Sequence, residues 1–205
     1  GLGDVYKRQR FLKRNQITIR AVQDISFTIK RGSIVGFIGS NGAGKSTTIK
    51  MLTGTLYPSS GKLEVNGEIP FKRSINFRKK ISIVVGNKLQ LFQDVSAMDY
   101  FQLIGTLYEV EPAILQERIQ ELSNLLNVKD QLYQQVRTLS LGQKMKMEFI
   151  AASLTSPEIL FLDEPTIGLD IQSKKDIRTF LKKMNEECHT TIILTSHDMD
   201  DISSV

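Results

Sequence analysis

The chain has 205 residues, of which 40% are hydrophobic and 24% charged, with a single cysteine and a net charge of +5. That is chain enough for one domain burying roughly 70% of the surface it would expose unfolded, and its ordinary composition excludes collagen-like, disulfide-framed and intrinsically disordered classes. No apolar run reaches the roughly 18 residues that a membrane helix needs, so no membrane span is expected.

The charge is unevenly placed. Lys7, Arg8, Arg10, Lys13 and Arg14, against Asp4, carry a net +4 before Asn15, and the body is nearly neutral; no nucleic-acid partner is expected. Residues 1–9 resemble translated sequencing-adaptor read-through and are set aside as non-native. Cys188 has no partner for an internal disulfide, and a cytoplasmic location follows as the expectation.

From Ala21 to Ile29, Val22, Ile25, Phe27 and Ile29 fall near every second place among polar residues, which predicts a half-buried strand. After the Arg31-Gly32 turn, Ser33 to Ile38 is almost wholly apolar, the pattern of a strand covered on both faces of a parallel sheet. A glycine-rich loop follows, then a helix from Lys45 to Leu52 that stops near Gly54. Leu63 to Val65 reads as a strand entering a tight turn at Asn66-Gly67, and Ile81 to Val85 as a further strand. Between Ser96 and about Val128, Ile114, Leu115, Ile119, Leu122, Leu125 and Leu126 take helical spacing, which predicts a helical lobe. Buried-strand character returns at Ile159 to Leu162 and Thr191 to Leu194, with an amphipathic helix over about 171–184 between them. The pattern is that of an α/β protein interrupted by helices.

Gly39-Ser40-Asn41-Gly42-Ala43-Gly44-Lys45-Ser46 matches G-x-x-x-x-G-K-[ST] between a predicted strand and a predicted helix. Glycines let the backbone curl so that N–H groups and a helix N-terminus face phosphate, Lys45 supplies the positive charge, and Ser46 would ligate Mg2+. Ile159 to Leu162 leads into Asp163-Glu164 at the carboxyl edge of the sheet, where ligands bind. Asp163 would hold the metal, and Glu164 would polarise an attacking water as general base.

Two further segments narrow the class. Leu139-Ser140-Leu141-Gly142-Gln143 is similar to the signature L-S-G-G-Q of the ABC (ATP-binding cassette) ATPases, and Glu164-Pro165-Thr166-Ile167-Gly168-Leu169-Asp170 resembles that family's run from Walker B into its D-loop. Thr195-Ser196-His197-Asp198 resembles the switch-histidine region, so the likeness extends from about Val22 to the end. It implies a P-loop fold of the ABC type: a mixed sheet core with an antiparallel β subdomain and an inserted helical lobe. The implied division is a P-loop core over 10–86, a lobe with the signature over 87–150, and the Walker B and switch part over 151–205, truncated at the C-terminus.

The resemblance also implies roles. Gly39 to Ser46, Thr47, Asn87, Ser140, Gly142, Gln143 and Asp170 would contact ATP; Ser46, Asp163 and Asn87 would serve Mg2+; Glu164 and His197 would be catalytic. Ser140 and Gly142 would donate to the γ-phosphate of ATP held by a second ATPase subunit, a homodimer partner or a paralogue. A separate membrane permease would be the other partner, holding the chain at the inner face of the cell membrane as the motor of an exporter. Three departures stand out: Leu141 replaces a glycine, Asn87 stands where a Q-loop glutamine is usual with Gln90 nearby, and no adenine-stacking aromatic lies near Gln16, Phe11 being the only substitute. A non-transport ABC protein acting on ribosomes or DNA would share the motifs. Chromosome-type members, however, separate the two halves by a long coiled coil, and Asn87 to Leu139 is short.

Overall fold

The computed structural model describes residues 20–197; the expectations for the basic head, the adaptor-like segment, Phe11 and the last eight residues fall outside them. Among the described residues four parallel strands form one sheet in the order β1-β4-β3-β2: β1 (Ile34–Ile38), β2 (Ile81–Val85), β3 (Ile159–Asp163) and β4 (Thr191–Ser196). Helix α1 (Lys45–Leu52) and α2 (Ile75–Lys80) separate β1 from β2. Helices α3 (Ala97–Leu107), α4 (Pro112–Leu125) and α5 (Leu141–Ser153) come between β2 and β3, and α6 (Ile171–Cys188) between β3 and β4.

Side-chain alternation splits the core in two. Ile81, Ile159, Phe161 and Ile193 pack with Ile49, Leu52 and Phe77 on the α1–α2 face. Val84, Leu160, Leu162, Ile192 and Leu194 pack on the other face with α5, α6 and the lobe helices. The central strands β3 and β4 are buried almost throughout because side chains pack on both of their faces, while the edge strands β1 and β2 are partly buried. The lobe joins the larger cluster through Phe101, Leu115, Ile119 and Leu122 rather than forming a separate core.

The helices begin where their sequences provide caps. Ser96 caps α3 in a reciprocal box with Asp99, Glu111 accepts N–H groups at the start of α4, and Asp170 caps α6. Glu109, at φ 57, turns the chain between α3 and Pro112, the first residue of α4.

The α/β core is as expected, but the mixed sheet and antiparallel subdomain are not seen among the described residues, where every strand pairing in the sheet is parallel. Residues 21–29 form no strand despite their alternation, and Ile25 and Phe27 are exposed. An extended segment becomes a strand only when a neighbour takes up its N–H and C=O groups, and although Phe27 packs against Phe37 of β1, no backbone hydrogen bond pairs the segment with another described residue. Leu63 to Val65 contributes only an antiparallel bridge, Val65 to Glu68, around the Asn66-Gly67 turn. That turn is as expected, with both central residues at positive φ. Helix α2, capped by Ser74, was not expected.

One buried ion pair ties α5 to α6: Lys146 Nζ lies 2.6 Å from Asp176 Oδ2, and Gln172 donates to Asp176 Oδ1 at 2.7 Å. Both charged side chains are about nine-tenths buried. Removing one partner strands the other charge, so Asp176→Ala is expected to lower the unfolding free energy by about 3–5 kcal/mol. The double replacement Lys146→Met with Asp176→Leu should recover most of that loss, and urea denaturation of the three proteins measures it.

Candidate functional site

A cleft of about 330 Å³ opens at the carboxyl edge of the sheet. Asn41 to Thr47, Asn87, Asp163 and Glu164 line it, together with Ala21. Parallel register makes this convergence possible, because β1, β2, β3 and β4 all release their chains on one side.

The α1 N-terminus differs from the other helix starts in a way that suits an anion. Helices α2 to α6 each have a side chain that accepts an N–H group of the first turn. Helix α1 begins at Gly44, has no side-chain cap and no acidic residue in its first turn, and so leaves its leading N–H groups directed into the cleft. Gly44 is required there: its φ is 89°, and an added Cβ would lie 2.4 Å from the Ala21 carbonyl oxygen. The Lys45 ammonium, on a residue only 9% exposed, donates to the Gly39 and Ser40 carbonyls at 2.5 and 3.1 Å and lies 3.9 Å from Glu164 Oε1. Gly39 and Ser40 thus serve as the lysine's carbonyl seat and do not line the cleft.

Asp163 is the node of the acidic side. Its Oδ1 accepts from Ser46 Oγ at 2.8 Å and from Thr195 Oγ1 at 2.7 Å, and its carbonyl accepts from the Gly86 N–H at 2.9 Å. In an extended strand, consecutive side chains point to opposite faces, so Asp163 and Glu164 could not both face the cleft. Glu164 turns instead into the left-handed region at φ 50, held by hydrogen bonds from its N–H to Thr195 O (3.2 Å) and Thr195 Oγ1 (3.0 Å). Gly86 makes room for this turn, since a Cβ there would lie 1.9 Å from the Glu164 carbonyl oxygen.

The remaining candidates gather elsewhere. Ser140 caps α5: its Oγ accepts from the Gln143 N–H at 3.2 Å while Gln143 Oε1 accepts from the Ser140 N–H at 2.9 Å. Gly142 follows, and a Cβ there would lie 2.2 Å from Ser173 Oγ, so glycine permits the contact of α5 with α6. Asp170 accepts from the Ser173 N–H (2.8 Å) and hydroxyl (2.7 Å), which hold its carboxyl below the usual aspartate range. Ser140, Gly142, Gln143 and Asp170 lie outside the cleft, as does His197, which is exposed directly after β4.

Thr195 and Gly86 are structural partners of the site that the sequence reading did not single out. Thr195 stood inside the quoted Thr-Ser-His-Asp segment, and its place level with Asp163 was visible only once the strands were paired.

An uncapped helix start with a lysine beneath it, facing a carboxylate–hydroxyl pair across a cleft, is the site of a nucleoside-triphosphate-binding P-loop protein. The chain belongs to the ABC transporter family, whose profile matches residues 22–167, and it is an ATP-binding, ATP-hydrolysing domain of that family. It is 32% identical to the ABC transporter ATP-binding protein NatA of Bacillus subtilis over 96% of this chain and 79% of NatA. It is 34% identical to the linearmycin resistance ATP-binding protein LnrL of the same species, over 88% of this chain and 58% of LnrL. Among solved structures, CbiO1 from Clostridium perfringens, part of the ABC transporter complex CbiONQ, superposes with a TM-score of 0.77 at 29% identity, over 89% of this chain and 74% of that one.

Thr195→Val keeps the side-chain shape but removes the hydroxyl that serves Asp163 and the Glu164 N–H at a fully buried position. The loss is expected to lower kcat for ATP about tenfold with little change in KM, corresponding to about 1–3 kcal/mol for a broken buried hydrogen bond. Thr195→Ser should restore the rate, and steady-state phosphate release distinguishes the two.

Proposed function

We propose that the chain is the ATPase subunit of an exporter, working as a pair on a separate membrane permease at the inner face of the cell membrane. The observation that carries this reading is the division of the site. Lys45, Asp163 and Glu164 converge on one cleft, while Ser140, at the capped start of α5, lies outside it. A nucleotide gripped by both needs Ser140 from a second subunit, so two chains meet head to tail around two ATP molecules.

Mg2+ fits the residues present. Among the described residues no group of three acidic, histidine or cysteine side chains could hold a metal alone. Ser46 and Asp163 instead offer two hard oxygen donors 2.8 Å apart beside the phosphate-facing loop, and Mg2+ usually takes one or two carboxylates plus substrate phosphates. Asn87 stands at the same cleft as the further amide donor. Bound there, the ion would neutralise phosphate charge.

In the reaction, a water oxygen attacks the γ-phosphorus and its bond to the bridging oxygen breaks, leaving ADP and phosphate. Glu164 takes the water proton, Lys45 balances the charge on the phosphate oxygens, and His197, Ser140 and Gly142 contact the γ-phosphate. Asp170 caps the segment that meets the partner.

For coupling, the lobe presents apolar side chains that are left exposed among the described residues. Leu103 and Leu107 are 48% and 67% exposed one turn apart on α3, and exposed Phe92 packs edge-on to Tyr100 of that helix. Such a patch suits a permease segment. No helix among the described residues is long and apolar enough to cross a membrane, and CbiO1 is likewise one component of a complex. Resistance to linearmycin, named for LnrL, is what removal of a toxic compound from the cell would confer, which supports export.

Two experiments on the full-length protein test this reading. Lys45→Ala is expected to abolish tight binding of a fluorescent ATP analogue, because the phosphates lose their fixed cation; an unchanged dissociation constant would refute the assignment. Glu164→Gln preserves shape but removes the base, so light scattering should show a doubled mass with MgATP and not with MgADP. Adding Ser140→Arg should return the monomer.

A further inference from the structure

Asn87 and Ser140 face different nucleotides in the two-subunit reading, on which this inference rests, yet the structure ties the segments carrying them together. The chain leaving Asn87 runs beside the chain approaching Ser140. Arg137 N–H donates to Gln93 O at 2.9 Å, Val136 N–H to Val95 O at 3.0 Å, and Met98 N–H to Leu132 O at 2.9 Å, with an antiparallel bridge between Ser96 and Gln135.

Beneath this ribbon lies Glu148, two turns into α5 and 5% exposed. A single carboxylate oxygen, Oε1, accepts the N–H of Leu91 at 2.8 Å and the N–H of Gln90. The Gln90 side chain reaches the other way, donating to Ile83 O on β2 at 3.0 Å. Burial pushes the Glu148 carboxyl above the usual range, against the pull of the Leu91 and Gln90 N–H groups. Filling space here would be served better by leucine or methionine, which cost no desolvation. An oxygen shared by two adjacent backbone N–H groups instead fixes a loop.

We propose that Glu148 is a positioning residue whose carboxylate locks the Asn87 loop onto α5, so that the amide at the chain's own ATP and the Ser140 end offered to the partner's ATP move as one body. A shift of Asn87 on nucleotide binding then displaces Ser140 across the subunit boundary. The two ATP sites are coupled mechanically through this clamp, and hydrolysis is cooperative because of it.

The test compares full-length wild type, Glu148→Leu and Glu148→Gln by phosphate release against MgATP concentration, with binding of a fluorescent ATP analogue measured alongside. Leucine keeps the volume and removes the acceptor; glutamine keeps an acceptor oxygen without the charge. Glu148→Leu is expected to lower kcat about tenfold and to bring the Hill coefficient from near two toward about one. Half-saturating MgATP and the analogue's Kd should stay within about twofold, the split that a loosened coupling gives and general damage does not. Glu148→Gln should remain within about twofold of wild type throughout. An unaltered Glu148→Leu, or a Glu148→Gln as impaired as Glu148→Leu, overturns the proposal. A wild type that hydrolyses ATP without cooperativity overturns the two-subunit reading beneath it instead. Should Glu148→Leu fail to fold, hydrogen exchange of the wild-type Gln90 and Leu91 amides decides: protection like that of the α5 core supports the clamp, and exchange at open-loop rates overturns it.

Discussion

Everything at the site depends on the parallel register of four strands. Phe37, Thr195, Asp163 and Val85 lie level with one another across the sheet. Each chain leaves the sheet within a residue or so of that line, so the phosphate loop, the Glu164 turn, the Asn87 loop and His197 begin from a common edge. Antiparallel pairing would send half of these loops to the far side. Asp163 then acts as the fastening point, because its carboxylate receives hydroxyls from α1 and β4 while its carbonyl receives the Gly86 N–H from beyond β2. A one-residue slip of β3 would turn Asp163 into the core and break all three links.

What could be read from the sequence divides along physical lines. The strands at Ile34–Ile38, Ile81–Val85 and Ile159–Asp163 were legible as apolar runs, and of these β3 is buried almost throughout while the edge strands β1 and β2 are partly buried. Helix α1 was legible from its glycine loop, and α4 from its helical spacing. The segment 21–29 has equally good alternation but forms no strand, because alternation records which side chains would share a face and says nothing of whether a neighbour exists to complete the ladder. Helix α2 was missed because six residues give too little periodicity to see. At the site, side chains bound to a motif could be named in advance. Thr195, Gly86 and Glu148 act by meeting residues far away in the chain, and only the paired strands and packed helices reveal those meetings.

The two helix starts that face nucleotide in the proposed pair are built differently, and the difference suits their tasks. Helix α1 leaves its leading N–H groups uncapped, which costs stability unless an anion takes them up, and Lys45 reinforces the same preference from below. Helix α5 closes its own N-terminus with the Ser140–Gln143 box. Its hydroxyl and amide hold their geometry in the separate chain, and a phosphate from a partner competes with an existing hydrogen bond rather than filling an empty one. In the proposed pair, strong binding at α1 with conditional binding at α5 would let a subunit hold ATP by itself and engage its partner only when the γ-phosphate is present.

The departure at Leu141 follows from the same arrangement. Leu141 is the first residue of α5 and is 46% exposed, so its side chain leaves the helix outward, with its Cδ2 3.5 Å from where a Cβ on Gly168 would stand. The next position has no such freedom: any side chain at 142 would strike Ser173 and Asp170 at the start of α6. Bulk is therefore tolerated at one signature position and excluded at its neighbour by a contact within the chain itself. Lys146 and Asp176 repeat the α5–α6 attachment one turn further along, and Glu148 fastens the same helix to the Asn87 loop. Helix α5 is thus held to α6 along one side and to the loop on the other, and that double attachment fixes the direction in which its N-terminus is presented.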